Sequence, residues 1–146
     1  MSWVRVYMHM VFSTKNREPF LNSPALRKKV FQHIKNNATE KGIWLDCVNG
    51  HNDHAHCLIS LDKEQSISKV AQLIKGESSF WINQNKLTEE KFIWQDDYWT
   101  VGVSERHLEK VRKYIHNQEA HHSKKSFADE INLFMQKYRW SFLKGN

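Results

Sequence analysis

The sequence is poor in the residues that mark several special classes of protein. It has 2 Cys, 2 Pro and 5 Gly among 146 residues, which excludes a disulfide scaffold, a collagen-like chain and a low-complexity chain. No apolar run reaches the roughly 18–20 residues that span a bilayer, and no basic stretch followed by an apolar one indicates a secretion signal. Cys47 and Cys57 form no CxxC pair. We therefore expect a reduced, cytoplasmic protein with one domain over residues 1–146.

Positive charge and histidine are what the sequence has in excess. The chain carries 22 Lys and Arg against 16 Asp and Glu, a formal net charge of +6. A basic surface favours a polyanionic partner, most often a nucleic acid. Seven of the 9 histidines fall in two stretches, namely His51, His54 and His56, and then His107, His116, His121 and His122.

The spacing of apolar residues predicts the element order β-α-β-β-α-β-α-α. The predicted strands cover residues 4–12, 43–48, 54–61 and 98–103, and the predicted helices start near Ser23, Ser66, Ser104 and Ser126. The first six elements match the ferredoxin-like split βαβ pattern, an α+β fold with an antiparallel sheet covered on one face by two helices. The two additional C-terminal helices must pack at a sheet edge, on the open sheet face or on a partner.

The third predicted strand begins with two histidines, His54 and His56. Residues i and i+2 of a strand point to one face, so the two imidazoles project together and can bind one divalent ion. Two surface histidines on an exposed strand face explain the same pattern. The neighbouring Asp53 and His51 either support the pair with hydrogen bonds or belong to the turn.

The helix after Ser104 carries Tyr114 and Gln118 at i and i+4, on the edge of its buried stripe. His107 lies on the same edge. A tyrosine with a packed ring and a solvated hydroxyl explains Tyr114 equally well. His121 and His122 are interpreted as a frayed helix end.

Together these residues resemble a known family. His54-Ala55-His56 after an Asn-Asp turn is similar to the HUH signature, and the segments Trp94–Trp99 and Val111–Gln118 resemble the tyrosine segment of single-tyrosine HUH transposases, the IS200-like enzymes of small insertion sequences. The resemblance covers essentially the whole chain. Ala55 departs from the bulkier apolar residue usual at that position, and because it faces away from the histidine pair this affects packing rather than chemistry.

The resemblance implies a ferredoxin-like HUH domain that acts as a homodimer on single-stranded DNA with hairpin ends. It implies a DNA transposase that cleaves and rejoins strands through a 5′-phosphotyrosine, with Tyr114 as the nucleophile. It also implies that His54, His56 and Gln118 hold Mg²⁺ or Mn²⁺. The general base remains open among His107, a metal-bound water and the phosphate itself.

Two other expectations concern the DNA. The basic side chains around Tyr114 are expected to contact the DNA backbone; they are Lys110, Arg112 and Lys113. Trp94, Tyr98 and Trp99 either stack on unpaired bases or belong to the core.

Two alternatives remain. The first is a non-catalytic ferredoxin-like module that binds nucleic acid, in which the histidine pair has no catalytic role. The second is a domesticated, repeat-associated relative of the transposases that nicks imperfect hairpins.

Overall fold

The computed structural model describes residues 1–123 and 125–138, and its centre is a four-stranded antiparallel sheet. The strands are β1 (Val6–Ser13), β2 (Trp44–His51), β3 (His54–Leu61) and β4 (Trp99–Val103), in the order β2-β3-β1-β4. Helix α1 (Pro24–Glu40) joins β1 to β2, and helix α2 (Ile67–Gln84) joins β3 to β4. This is the predicted ferredoxin-like α+β arrangement.

Three further helices follow the sheet: α3 (Leu108–His116), α4 (Gln118–His122) and α5 (Phe127–Tyr138). Leu108 and Ile115 of α3 pack with Leu58 of β3, and Phe127 of α5 packs with Val11 of β1. The residues of α1 and α2 form a separate core. The C-terminal helices therefore cover the sheet face that α1 and α2 leave open, one of the three positions that the sequence allowed.

Successive residues of β3 point alternately to the core under α1 and α2 and to the face that the C-terminal helices cover. Ala55, Cys57 and Ile59 pack into the core beneath α1 and α2, as predicted. The residues between them point the other way, and their side chains are also buried, because the C-terminal helices lie over them. The expected half-buried β1 is likewise fully buried in its second half.

Local signals in the sequence explain where the first two helices begin. The Ser23 hydroxyl accepts a hydrogen bond from the backbone N–H of Leu26, and Pro24 takes the first helical position, where its missing N–H leaves nothing unsatisfied. The Ser66 hydroxyl caps α2 in the same way. Gly42, with a φ of +73°, follows the end of α1 in the left-handed region that favours glycine.

Several predicted boundaries are wrong. Strand β1 begins at Val6 rather than Val4, and β2 runs on to His51, so that only Asn52 and Asp53 form the turn to β3. The helix predicted as continuous from Tyr114 to Gln118 is interrupted at Asn117, where α3 ends and α4 begins.

The last helix begins where predicted, and Phe127 and Ile131 are buried on its inner face. The side chains of Phe134 and Tyr138, predicted on the same stripe, lie outside the described residues, as do Lys124 and residues 139–146. Among the described residues, no helix combines the length and the apolar character needed to cross a membrane.

Gly50 allows β2 to approach β3 closely. A Cβ atom at this position would lie 2.0 Å from the His54 carbonyl oxygen and 2.9 Å from the Ala55 Cα, and both are backbone atoms that cannot move independently. We expect Gly50→Ala to destabilise the protein by about 1–3 kcal/mol or more through overpacking, measured by denaturant unfolding.

Gly76 provides the control. A Cβ there meets nothing within 4 Å, and the residue lies inside α2, where alanine is the better helix former by about 0.5–1 kcal/mol. Gly76→Ala should therefore raise the stability slightly. Equal effects of the two substitutions would contradict the assigned contact at Gly50.

Candidate active site

The predicted histidine pair lies on the sheet face that the C-terminal helices cover. His54 and His56 share this face of β3 and each has 0% exposure. The interpretation of the pair as surface histidines on an exposed strand is therefore wrong. Buried imidazoles need hydrogen-bond partners, and each of these has one on either side.

A carboxylate orients His54. Its Nδ1 lies 2.9 Å from Asp53 Oδ1, so Nδ1 carries the proton and Nε2 presents its lone pair to the interior. Support by a hydrogen bond was one of the two roles that the sequence left open for Asp53, and it is the usual arrangement behind a histidine that binds metal. His51 makes no such bond among the described contacts; its ring stacks on that of His122 at 5.3 Å.

A second histidine supports His56. The Nδ1 of His56 lies 2.9 Å from the Nε2 of His9 on β1, and the two rings stack at a centroid distance of 5.1 Å. Burial lowers the pKa of His56 to about 4, so its imidazole is neutral at pH 7. The sequence shows His9 only as one polar residue in the alternation of β1.

Gln118 reaches the pair from the start of α4. Its Oε1 lies 3.1 Å from His54 Nε2 and 3.1 Å from His122 Nε2, and its side chain is fully buried. The break at Asn117 is held by Asn49 of β2, whose amide donates to the carbonyl oxygens of Ile115 and His116. The structure thus brings the three predicted ligands together.

Glu130 of α5 is, like His9, a residue of the site that sequence reasoning missed. Its side chain is 2% exposed, and its Oε1 lies 3.0 Å from His56 Nε2 and 3.4 Å from His54 Nε2. Burial opposes ionisation of Glu130, but hydrogen bonds from His122 and His56 outweigh burial and hold the pKa of the carboxyl below its usual range. The sequence feature that could have identified Glu130 is its place on the helical stripe formed by Phe127 and Ile131, because an ionisable group on an apolar stripe is unusual.

The other missed residues are His121 and His122. His122 Nε2 lies 3.5 Å from Glu130 Oε1, and His121 Nε2 lies 3.3 Å from Glu130 Oε2 without forming a hydrogen bond. The interpretation of these histidines as a frayed helix end is therefore wrong. The sequence feature that could have identified them is the second histidine-rich stretch, to which both belong.

The donor atoms in this cluster fit a divalent cation. Because the Nδ1–H of His54 donates to Asp53, His54 Nε2 is an acceptor, yet it faces two other acceptors, Gln118 Oε1 at 3.1 Å and Glu130 Oε1 at 3.4 Å. Lone pairs that converge without a shared proton repel one another unless a cation or an additional proton lies between them. The ligand atoms of His54, His122 and Glu130 also all lie within 4.8 Å of one another.

Tyr114 meets the same cluster. Its hydroxyl donates a hydrogen bond to the Oε2 of Glu130, and its ring contacts those of His56 at 5.5 Å and His9 at 6.1 Å edge to face. Burial and Glu130 together raise the pKa of Tyr114 well above its usual range. The tyrosine is therefore half-buried with a bonded hydroxyl, rather than packed with its hydroxyl in water.

The basic side chains around Tyr114 differ in their surroundings. Lys110 and Lys113 are exposed. Arg112 is bound by two bonds to Asp46, at 2.8 and 2.9 Å, and by a third to Glu109. His107 is exposed in the turn before α3, with its Nδ1 2.8 Å from the Ser104 hydroxyl.

The aromatic residues considered for base stacking also differ in how far they are buried. Trp94 is buried in the core and its indole N–H donates to Ser78, so it is not available to stack on a base. Tyr98 and Trp99 are partly buried. Trp3 and Trp44 are exposed by 86% and 68%.

Comparison with known proteins identifies the family. The model of the family "Transposase IS200 like" matches residues 2–118. Because this match covers most of the chain, the protein belongs to the IS200-like transposase family. No curated protein matches the chain.

Two solved structures share the fold. One is a candidate transposase from Deinococcus radiodurans, with 20% identity, a TM-score of 0.64 and coverage of 80% of this chain and 93% of that one. The other is a REP-associated tyrosine transposase bound to a REP hairpin, with 14% identity, a TM-score of 0.55 and coverage of 81% of this chain and 67% of that one. Glu130 lies beyond the residues that the family model matches.

A prediction concerns the ion pair that fixes the tyrosine helix to the sheet. Asp46 is the extra residue where the pairing of β2 with β3 shifts register, and hydrogen bonds from Arg112 lower its pKa. Its stabilising contribution should be complete above the unfolded carboxyl pKa of about 3.9 and should fall as the pH drops through the lower folded value.

Unfolding free energies of the wild type and Asp46→Asn, measured between pH 7 and pH 3, test this. The difference should be largest at neutral pH and should shrink on acidification. A difference that is independent of pH would contradict the ion pair.

Proposed function

We propose that the protein cleaves and rejoins single-stranded DNA through a covalent bond between Tyr114 and a 5′-phosphate. One observation supports this above the others: a single buried carboxylate, Glu130, contacts the Tyr114 hydroxyl through one oxygen and the histidine pair through the other. The nucleophile and the candidate metal ligands of this family member therefore lie within one cluster of side chains.

In this proposal His54, His56 and Gln118 hold a Mg²⁺ or Mn²⁺ ion. When bound, the ion would neutralise charge that develops on the phosphate oxygens during the reaction. Asp53 and His9 orient the two imidazoles through their Nδ1 atoms, so that both Nε2 atoms face inward.

The reaction conserves the energy of the phosphodiester bond. The Tyr114 oxygen forms a bond to phosphorus, the bond from phosphorus to the 3′-oxygen breaks, and the proton from the tyrosine leaves the hydroxyl as the 3′-oxygen gains one. The products are a 5′-phosphotyrosine and a free 3′-hydroxyl. Attack by a second 3′-hydroxyl on the phosphotyrosine reverses these steps on a new strand without ATP.

The substrate is proposed to be a single strand with hairpin ends, bound by a homodimer. The fold is shared with a REP-associated tyrosine transposase that was solved with a REP hairpin, and the exposed Lys110 and Lys113 next to Tyr114 suit contacts with phosphates. Arg112, by contrast, already pairs with Asp46 and Glu109, so we assign the two lysines the larger part in DNA binding.

A second candidate function follows from the same similarity. A repeat-associated enzyme would nick imperfect hairpins scattered in the genome rather than move its own element. The two functions use the same chemistry and differ in the strand that is cut. Incubation with hairpins from the DNA that flanks the gene, and with dispersed repeats, distinguishes them.

The first prediction from this proposal concerns Tyr114. With Mn²⁺ and a hairpin-bearing single strand, the wild type should form a protein–DNA adduct that survives denaturing gel electrophoresis, and Tyr114→Phe should form none. Tyr7→Phe is the matched control, because Tyr7 packs near α3 on the same sheet face and loses only its hydroxyl.

Two results would contradict the proposal. An adduct that persists in Tyr114→Phe would mean that another residue is the nucleophile. Failure of the wild type to form an adduct with any of these strands would refute strand cleavage.

The second prediction concerns Lys110 and Lys113. Replacing both by Gln should weaken binding of single-stranded DNA and lower the slope of log K against log salt by about 0.7 for each phosphate that is no longer neutralised. The control is Lys69→Gln, an exposed lysine of α2 on the opposite side of the sheet. Fluorescence anisotropy at several salt concentrations measures both, and an unchanged slope in the double variant would exclude these lysines as phosphate ligands.

A further inference from the structure

Glu130 is an acid in a position where acids are rarely found. It lies on the inner face of α5 and is buried to 2% exposure beside Phe127 and Ile131, which are themselves 4% and 5% exposed. A buried carboxylate needs a compensating charge or several hydrogen bonds. The groups around Glu130 therefore decide what it does.

Within the described part of the chain, each basic side chain within ion-pair distance of Glu130 is a histidine. The distances are 3.4 Å to His54, 3.0 Å to His56, 3.3 Å to His121 and 3.5 Å to His122. An imidazole is only partly protonated at neutral pH, and no described Lys or Arg lies within ion-pair distance of the carboxylate. The negative charge of Glu130 is thus surrounded by nitrogen ligands rather than by permanent cations.

The orientation of His54 strengthens this point. Asp53 fixes the proton of His54 on Nδ1, and the lone pair on Nε2 then faces Gln118 Oε1 at 3.1 Å and Glu130 Oε1 at 3.4 Å. An imidazole lone pair with two oxygen acceptors within 3.4 Å of it, one of them anionic, is the kind of ligand set that binds a divalent cation.

We propose that Glu130 is an anionic ligand of the divalent ion, joining the neutral ligands His54, His56 and Gln118. This inference rests on the metal centre of the proposed function and changes its charge. A set of two imidazoles and an amide is neutral and should bind a hard ion weakly, whereas a carboxylate is the ligand that Mg²⁺ and Mn²⁺ prefer.

The two oxygens of Glu130 then have different tasks. Oε1 faces the histidine pair, whereas Oε2 accepts the hydrogen bond of the Tyr114 hydroxyl. One carboxylate thereby positions the nucleophile next to the ion. It also links α5 to β3 through the centre, so that metal binding should hold α5 against the sheet.

The test is a titration with Mn²⁺ alone, in the absence of DNA. Isothermal titration calorimetry should show at least a tenfold weaker affinity for Glu130→Gln than for the wild type, because the substitution keeps the size of the side chain and one acceptor oxygen but removes its charge. Asp129→Asn is the matched control. It makes the same change of charge at the neighbouring position, which is more exposed, and its affinity should equal that of the wild type.

A second measurement reports on α5 itself. In the wild type, Mn²⁺ should slow the exchange of backbone amide hydrogens in α5, and in Glu130→Gln this protection should disappear. Thermal melting without metal shows whether each variant is folded. If Glu130→Gln does not fold, Glu130→Asp takes its place, because it retains the charge on a shorter side chain and should bind Mn²⁺ with an intermediate affinity.

Equal Mn²⁺ affinities of the wild type and Glu130→Gln would overturn the inference, as would a wild type that binds no Mn²⁺. If His54→Ala abolishes Mn²⁺ binding and Glu130→Gln does not, the inference fails while the proposed function stands. If Glu130→Gln loses Mn²⁺ binding but the wild type forms no adduct with DNA, the inference stands and the proposed function fails.

Discussion

Two histidines are buried on the face of β3 that the C-terminal helices cover, and other parts of the molecule must supply their hydrogen-bond partners. His54 and His56 are completely removed from water, and an unpaired buried polar group costs about 1–3 kcal/mol. Asp53, the residue before β3, is one partner, whereas His9 from β1 and Glu130 from α5 come from elements far away in the chain. The packing of the C-terminal helices follows from this requirement, because the open face of the sheet is where they can deliver the missing donors and acceptors.

The two faces of the sheet differ in what they bury. The face under α1 and α2 holds an apolar core with residues such as Met10, Phe12 and Ile59 at 0% exposure, and burial of this kind is the main favourable term in folding. The opposite face contains a cluster of buried ionisable and polar groups, among them His54, His56 and Glu130. A stable core on one side allows the other side to hold an arrangement that serves chemistry rather than stability.

The sequence was sufficient to predict what depends on local pattern. The alternation of β3 predicts that His54 and His56 share a face, and the serine and proline before α1 and the serine before α2 predict where these helices begin. The relation of Tyr114 to Gln118 is also local, although Asn117 interrupts the helix between them.

What the sequence could not provide was the path of the chain after α3. Whether α5 covers the open face of the sheet depends on packing between residues distant in sequence, such as Val11 with Phe127. Glu130, His121 and His122 acquire their roles only through that packing. Arg112 likewise resembles any other cation near Tyr114 until the extra residue in β2 places Asp46 beside it.

The turn between β2 and β3 contains only two residues, Asn52 and Asp53. Insertions in the hairpin of β2 and β3 should therefore disturb the site far more than insertions in a long connection. One additional residue in β3 directly after His56 would move the two histidines to the other face of the strand relative to the rest of β3, turning both imidazoles toward the apolar core and Ala55 toward the C-terminal helices. The connection after α2 at residues 85–91, in contrast, contains no buried residue and can lengthen without moving the histidines. Natural or engineered diversity in this protein should accumulate in that connection, while the hairpin that carries the histidines keeps its length.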